Sequence, residues 1–277
     1  MVLVGGYEDS LRRLGVQSWQ RDGDSNSMGG RLSAPSYHFD MLQDLDRNRA
    51  YRLGIEATVE EGDLVVDIGT GSGLLSILAK RAGAEHCFAI EGDPALQAAS
   101  KAVIAANGLS EDITVIPKHS TMVTCGFGLD VPYPAHVIVT EIFDSFLLGE
   151  GMLPSIIDAK ERCLLAPDGG KVVPAGAQMH CLLVESAFLA AGESLPDASL
   201  FGMTEELRKS EGPAPMWSGP DPIQIHAGTL LSRGLASPLA QPFHGLDYDF
   251  DRPSTGLRRT ARVKVETDGT AHGVMIW

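Results

Sequence analysis

The chain has 277 residues, 44% of them hydrophobic and 21% charged, which is enough for one large globular domain or two modest ones. Acidic residues outnumber basic ones, 36 against 22, and the formal charge is −14. This balance disfavours binding to nucleic acid through its phosphates and suits a basic partner, although acidity alone also serves solubility. No apolar run is long enough for a signal peptide or a membrane span, so we expect no membrane contact and a location in the cytosol or nucleus.

The cysteines and histidines predict neither a disulfide scaffold nor a metal site. The 4 cysteines form no C-x-x-C pair, and the 8 histidines show no H-x-H or H-x-x-x-H spacing. Each histidine is interpreted as an ordinary surface or core residue.

The first 173 residues predict a flexible lead-in followed by an α/β domain. Residues 1–36 are rich in Gly, Ser and Asp and show weak periodicity, apart from a short helix expected near 11–14. Apolar residues recur at helical spacing from 37 to 59, which predicts one or two helices. Short β-branched runs then alternate with helical segments, which predicts a parallel sheet. The expected strands are 64–68, 87–90, 113–116 and 136–140, and the expected helices are 74–81 and 94–107.

The pattern changes at 174, and we expect a second domain from 174 to 277. Short apolar runs at 179–184, 223–225, 262–265 and 271–277 are separated by Gly and Pro, which predicts antiparallel strands. Residues 186–222 form an irregular, Pro-containing insertion with one helix expected near 203–210.

A glycine-rich turn follows the first strand of the α/β domain. Gly69, Gly71 and Gly73 come directly after that strand, and Asp67 lies two residues before the first of them. A dinucleotide fingerprint would be G-x-G-x-x-G, but Leu and Ser occupy the two positions where its third glycine could fall. The pattern resembles the first motif of class I methyltransferases that use S-adenosylmethionine. A tight turn without a ligand and a dinucleotide site remain as alternatives.

Glu91 ends the second predicted strand, at the same edge of the sheet as the glycine turn. A carboxylate at this position can accept hydrogen bonds from both hydroxyls of a ribose and repels a 2′-phosphate. A nucleoside without that phosphate is therefore the expected ligand.

Two further glutamates follow the fourth predicted strand. Glu141 and Glu150 bracket a largely apolar loop. Two carboxylates on such a loop are costly unless a cation joins them, and the planar guanidinium of arginine pairs well with carboxylates. Taken alone, the two residues could also be incidental acids on a solvated loop.

The order of these motifs resembles the protein arginine methyltransferase family over roughly residues 37 to 186. The E-x8-E spacing of Glu141 and Glu150 is similar to the family's double-glutamate hairpin, and segments 37–48, 118–121 and 183–186 also match it. The resemblance implies a Rossmann-like class I methyltransferase sheet followed by a partial antiparallel β-barrel. The family's late Thr-His-Trp loop is not found, and the closest subtype usually carries a second methyltransferase-like module, so we expect a truncated chain.

The resemblance also implies roles for individual residues and S-adenosylmethionine as cofactor. Asp67 would sit near the contact between the cofactor and the glycine turn of Gly69, Gly71 and Gly73, and Glu91 would hold its ribose. Arg47 would pair with the cofactor's carboxylate, Met41 would pack near its sulfur, and Ser120 and Thr121 would lie by its adenine. Glu141 and Glu150 would hold the substrate guanidinium.

The implied function is methylation of arginine in proteins such as histones or RNA-binding proteins, with monomethylation expected. The chain could act as a homodimer or as half of a tandem-module pseudo-dimer. A catalytically silent protein that binds the cofactor or a partner is the alternative, and a small-molecule methyltransferase is a weaker one.

Overall fold

The computed structural model describes residues 37–143, 147, 149–193 and 227–277. The predicted lead-in, the predicted helix near 203–210, the predicted strand at 223–225 and most of the irregular insertion lie outside these residues. None of the helices within them is long and apolar enough to cross a membrane, and they contain no cluster of His, Cys, Asp and Glu that could hold a metal ion.

A parallel five-stranded sheet carries the α/β domain. Its strands are β1 Leu64–Ile68, β2 His86–Ile90, β3 Ile113–Ile116, β4 Val137–Thr140 and β5 Lys171–Val173. Every neighbouring pair is parallel, and the strand order is β3-β2-β1-β4-β5. The order reverses between β1 and β4, and ligands of open α/β sheets bind at the carboxyl ends of strands at such a switch point. The predicted α/β fold is thus confirmed.

Helices cover the sheet and account for the predicted helical periodicity. They are α1 Tyr37–Gln43, α2 Leu45–Thr58, α3 Leu74–Ala82, α4 Pro94–Ala106 and α5 Met152–Glu161. Asp93 caps α4 by accepting hydrogen bonds from the N–H groups of Ala95 and Leu96, and Pro94 occupies the first turn, where its missing N–H costs nothing. The sequence did not predict α5, because the burial of its apolar residues depends on the elements against which it packs.

The core of this domain is formed mainly by α2, α3 and the central strands. Ile55, Val65, Ile77, Cys87 and Val139 have no exposed surface and belong to one apolar cluster. Strands β1 and β4 are buried along nearly their whole length, as expected for central strands of a parallel sheet. The core therefore fixes the strand ends from which the candidate site residues emerge.

A separate antiparallel sheet follows. It contains β6 Gly176–Glu185, β7 Ser237–Pro238, β8 Phe243–Asp249 and β9 Gly273–Ile276, with short helices α6 Ala187–Glu193 and α7 Ala227–Ser232 before β7. The order is β7-β6-β8, and β9 also pairs with β6. This sheet agrees with the predicted partial β-barrel. The predicted strand at 262–265 is wrong, since those residues are irregular, while β8 was missed because its alternation includes Gly and Asp.

The chain divides into two compact units. Among the described residues, the first comprises 37–143, 149–177 and 248–255, and the second comprises 147, 178–193, 227–247 and 256–277. The sequence placed one boundary at 173/174 and gave no sign that residues 248–255 return to the first unit. That return is visible only in tertiary contacts, such as the N–H of Phe250 donating to the carbonyl of Ala175 at 2.9 Å.

Candidate functional site

The glycine-rich turn between β1 and α3 needs glycine for its backbone conformation and for close packing. Gly69 and Gly71 have φ angles of 75° and 55°, a region that other residues rarely adopt. A methyl group on Gly69 would lie only 2.5 Å from Cγ2 of Ile142, the residue after Glu141. The glycine turn and the glutamate loop therefore touch at this point. Gly73, with a φ of 85°, precedes the first residue of α3.

Asp67 lies beneath the glycine turn and holds it to α3. Its Oδ2 accepts hydrogen bonds from the hydroxyl of Thr70 at 2.6 Å and from the hydroxyl and N–H of Ser76 at 2.7 and 3.0 Å. The side chain is completely buried, and Oδ1 has no hydrogen-bond partner. Burial raises the pKa of Asp67 to about 6, while the bonds from Thr70 and Ser76 oppose that rise. This places Asp67 under the turn, as its support, and not on the turn's outer surface.

Glu91 ties the end of β2 to the glycine turn. Its Oε2 accepts a hydrogen bond from the N–H of Gly71 at 2.8 Å, and its Oε1 accepts one from the N–H of Asp93 at 2.9 Å. Only 8% of the residue is exposed. Each carboxylate oxygen has lone pairs left, so the group can still accept hydrogen bonds from a ribose.

Arg47 of α2 forms an ion pair with Glu141, just beyond the end of β4. Nη2 of Arg47 lies 2.5 Å from Oε2 of Glu141, and the two side chains are 22% and 14% exposed. Nη1 of Arg47 also donates to Oδ1 of Asn48 at 2.9 Å and to the carbonyl of Met41 at 3.4 Å. The residue predicted to hold the cofactor and the residue predicted to hold the substrate are thus direct partners.

Two neighbours fix the position of Arg47. Asn48 is completely buried and donates from Nδ2 to the carbonyls of Met41 and Leu42, both at 3.1 Å, which joins α1 to α2. Tyr51 places its ring 5.4 Å from the guanidinium carbon and donates its hydroxyl to the carbonyl of Thr140 at 3.2 Å. These contacts hold Arg47 near the carboxyl end of β4.

Glu141 and Glu150 differ in their surroundings. Burial raises the pKa of Glu141, Arg47 opposes that rise, and Glu150 is close enough to add to it. Glu150 is exposed, two residues before the first residue of α5, and does not line the cleft described below. Only one of the two predicted substrate ligands is therefore enclosed.

Ser120 and Thr121 lie in a 3-10 turn, Ser120–Met122, shortly after β3. Ser120 is buried and Thr121 is exposed. A methyl group on Gly92 would lie 4.0 Å from Cα of His119, so this turn stands beside the segment that carries Glu91. The carboxyl ends of β2 and β3 thus place the two predicted subsites side by side.

A cleft at this edge of the sheet is lined by five of the eleven predicted site residues, namely Met41, Arg47, Gly69, Gly71 and Glu141. It is lined by His38, Met41, Leu42, Arg47, Gly69, Thr70, Gly71, Ser72, Leu74, Leu75 and Glu141. The sequence did not single out His38, Thr70 or Ser76. Thr70 and Ser76 had a usable signal, since a carboxylate beneath a glycine turn needs nearby hydroxyl donors.

A family model described as ribosomal protein L11 methyltransferase matches residues 53–157, which contain the glycine turn, Glu91, Glu141 and Glu150. This segment contains strands β1 to β4 of the parallel sheet.

Curated relatives give more specific similarity. Protein arginine N-methyltransferase 7 of Danio rerio is 35% identical over 254 residues, covering 88% of this chain and 36% of that protein. Arginine N(omega)-methyltransferase of Streptomyces achromogenes subsp. streptozoticus is 42% identical over 177 residues, covering 64% of this chain and 48% of that protein. The chain therefore spans between about a third and a half of the length of these relatives.

Solved structures support the fold. The Trypanosoma brucei PRMT1 enzyme–prozyme complex with AdoHcy matches with a TM-score of 0.60 at 20% identity, covering 81% of this chain and 65% of that chain. Arabidopsis thaliana protein arginine methyltransferase 10 matches with a TM-score of 0.59 at 24% identity and the same coverage. At these identities the likeness concerns the fold alone.

Proposed function

Since the chain is homologous to the protein arginine N-methyltransferases, we propose that it binds S-adenosylmethionine and methylates a guanidinium nitrogen of arginine. The observation that carries the proposal is the Arg47–Glu141 ion pair. This pair supports the proposal because it holds a guanidinium against Glu141 beside the glycine turn, where Ile142 packs on Gly69. Because a guanidinium stays protonated and pairs with carboxylates, a substrate arginine is the matching ligand for this site.

The residues present fit the cofactor. The glycine turn lets a ligand approach the backbone, Glu91 keeps lone pairs for ribose hydroxyls, and the Arg47 guanidinium suits an amino-acid carboxylate. The buried support from Asp67, Thr70 and Ser76 holds the turn in place without help from a ligand. S-adenosylmethionine supplies a methyl group bonded to a positively charged sulfur.

The protein's own contribution would be positioning and charge. Glu141 would orient the guanidinium and draw its positive charge toward one side, which leaves the other nitrogen the better nucleophile. Methylation releases one proton from that nitrogen. Burial raises the pKa of Glu141, so its carboxylate is a better proton acceptor than an ordinary glutamate. Glu150 is exposed at the end of the loop, and its negative charge would attract the guanidinium toward Glu141.

We propose arginine-containing proteins as substrates, with monomethylarginine as the product. The formal charge of −14 favours approach of arginine-rich, basic segments. The proposed location is the cytosol or nucleus, where such segments are exposed.

Free arginine is a second candidate substrate. The Streptomyces relative is named for arginine itself, not for protein arginine, and it is 42% identical over 177 residues. The residues around Glu141 serve either substrate equally well, because both present the same guanidinium.

Two measurements on one preparation test the proposal. Calorimetric titration with S-adenosylhomocysteine should show binding by the wild-type chain. Mass spectrometry should then find +14 Da on an arginine-rich peptide incubated with S-adenosylmethionine, and none on the same peptide with lysine in place of arginine. Free arginine, assayed in parallel, separates the two candidate substrates. Binding without transfer to any of these would favour a silent cofactor-binding protein, and no binding would refute the proposal.

A further inference from the structure

Arg162 joins the end of α5 to the turn after β3. It follows Glu161, the last residue of α5, and its Nη2 donates to the carbonyl of Ser120 at 2.8 Å. Its Nη1 donates to the carbonyl of Val123. One planar guanidinium therefore bridges both ends of the 3-10 turn.

Asp158, one helical turn earlier, orients this guanidinium. Nε of Arg162 donates to Oδ1 of Asp158 at 2.9 Å, and Nη2 forms an ion pair with Oδ2. A two-point contact between a guanidinium and a carboxylate fixes the plane of the fork as well as its distance. Nη1 and the second N–H of Nη2 then point toward the two carbonyls.

The turn that Arg162 holds makes few other hydrogen bonds in the described residues. Its internal bonds are those from the N–H groups of Met122 and Val123 to the carbonyls of His119 and Ser120. His119 adds a contact from its ring nitrogen to the hydroxyl of Thr121 at 2.9 Å. All of these bonds lie within the turn, so among the hydrogen bonds of the described residues those from Arg162 join it to another element, beside the packing of the fully buried Val123.

The anchored turn stands beside Glu91, as the 4.0 Å approach between a methyl group on Gly92 and Cα of His119 shows. The other end of α5 begins two residues after Glu150. A helix of ten residues spans about 15 Å. The same helix thus connects the glutamate loop with the surface next to the ribose-binding carboxylate.

We propose that Arg162 is a positioning residue that holds the Ser120–Met122 turn against the adenine side of the cofactor site. This inference rests on the proposed function and deepens it. It concerns a residue that touches no reactant and acts only through the two carbonyls.

The test compares two ligands and matched variants of the full chain. S-adenosylhomocysteine contains the whole cofactor skeleton, whereas 5′-methylthioadenosine keeps the adenine and ribose and lacks the amino-acid end. Arg162→Lys keeps the charge but cannot form the fork. Arg52→Lys is the matched control, because Arg52 also pairs with an acid four residues away, Glu56, and contacts no carbonyl of another element in the described residues. Arg47→Lys probes the opposite, amino-acid end of the site.

We expect Arg162→Lys to lower the affinity for both ligands by the same factor of about ten, which corresponds to the loss of about one charge-assisted hydrogen bond. Arg52→Lys should leave both affinities within twofold, and Arg47→Lys should weaken S-adenosylhomocysteine alone. Asp158→Asn keeps Arg162 but removes the carboxylate that orients its guanidinium, and it should lower the affinity for both ligands by about threefold. If Arg162→Lys does not fold, this variant provides the test.

A folded Arg162→Lys chain with unchanged affinity for S-adenosylhomocysteine would overturn the inference and leave the proposed function standing. The same holds if weakening is confined to S-adenosylhomocysteine, or if only the melting temperature falls. Absence of binding by the wild-type chain would instead overturn the proposed function, and the inference with it.

Discussion

The glycine-turn side and the glutamate side of the cleft are built in different ways. On the glycine side, Asp67 and Glu91 take their hydrogen bonds from groups 2 to 20 residues away in sequence. On the glutamate side, Glu141 is paired with Arg47, which reaches it from the distant α2. Local bonds make the first subsite rigid, whereas the second depends on how two separate elements pack.

This difference indicates which part of the site can rearrange when a ligand binds. Asp67 is completely buried, so breaking its hydrogen bonds would leave a buried carboxylate without partners, which costs free energy. The Arg47–Glu141 pair lies at a cleft wall and retains some exposure on both sides. A ligand carboxylate or guanidinium can therefore share or replace that pair. Substitutions on the two sides should have distinct effects.

The largest effect is expected from Glu141→Gln. The loss of charge should lower methyl transfer to an arginine peptide by about 100- to 1,000-fold, as removal of one key electrostatic contact does in other enzymes. Affinity for S-adenosylhomocysteine should change by less than about threefold, because Arg47 keeps its bonds to Asn48 and Met41. Single-turnover rates and calorimetry measure the two quantities. Retained activity, with the exposed Glu56→Gln as control, would remove Glu141 from its assigned role.

The second effect concerns the pH dependence of stability at Asp67. Burial raises its pKa from an ordinary 3.8 to about 6, so between these values the folded chain binds a proton that the unfolded chain releases. The stability that this group contributes is complete below pH 4 and is lost as pH rises through 6. Relative to Asp67→Asn, the unfolding free energy of the wild type should fall by about 3 kcal/mol over that range.

Urea unfolding at several pH values measures this difference, with the exposed Asp168→Asn as control. Parallel pH profiles for the wild type and Asp67→Asn would show that the buried carboxyl is not perturbed in this way.

A smaller effect is expected from Glu91→Gln. The amide has one acceptor oxygen in place of two, so it keeps only one of the bonds to the N–H groups of Gly71 and Asp93. Affinity for S-adenosylhomocysteine should fall by about tenfold, measured by calorimetry. Methyl transfer at saturating cofactor should stay within about threefold of wild type, because Glu91 lies on the glycine side. A large loss of the saturated rate would argue that the two sides are not separable.

The smallest effect is expected from Arg52→Ala, which removes an exposed i,i+4 ion pair with Glu56 on the same helix as Arg47. The unfolding free energy should change by no more than about 0.5 kcal/mol, because exposed pairs are screened by solvent. Urea unfolding checks this value. A loss above about 1 kcal/mol would mean that α2 depends on surface pairs more than on packing and the Asn48 contacts.

Much of the parallel sheet could be predicted because its signals are local. The β-branched run before Gly69, the Pro94 helix start and the apolar strand before Glu141 each identify an element within a few residues. Helix α5 was missed because its burial depends on the element beneath it. The predicted strand at 262–265 was wrong because short β-branched runs form strands only where a neighbouring strand offers hydrogen bonds.

The sequence by itself determined the chemistry that the site can offer: glycines where the backbone turns, an acid at the end of β2 and two acids after β4. Residue types, spacing and strand ends carry that information, because the carboxyl ends of parallel strands meet at one edge. Only the tertiary structure decided that Asp67 is a buried support, that Arg47 pairs with Glu141, and that Arg162 reaches the carbonyls of Ser120 and Val123. Burial and the pairing of charges far apart in sequence arise from packing, which local sequence pattern does not encode.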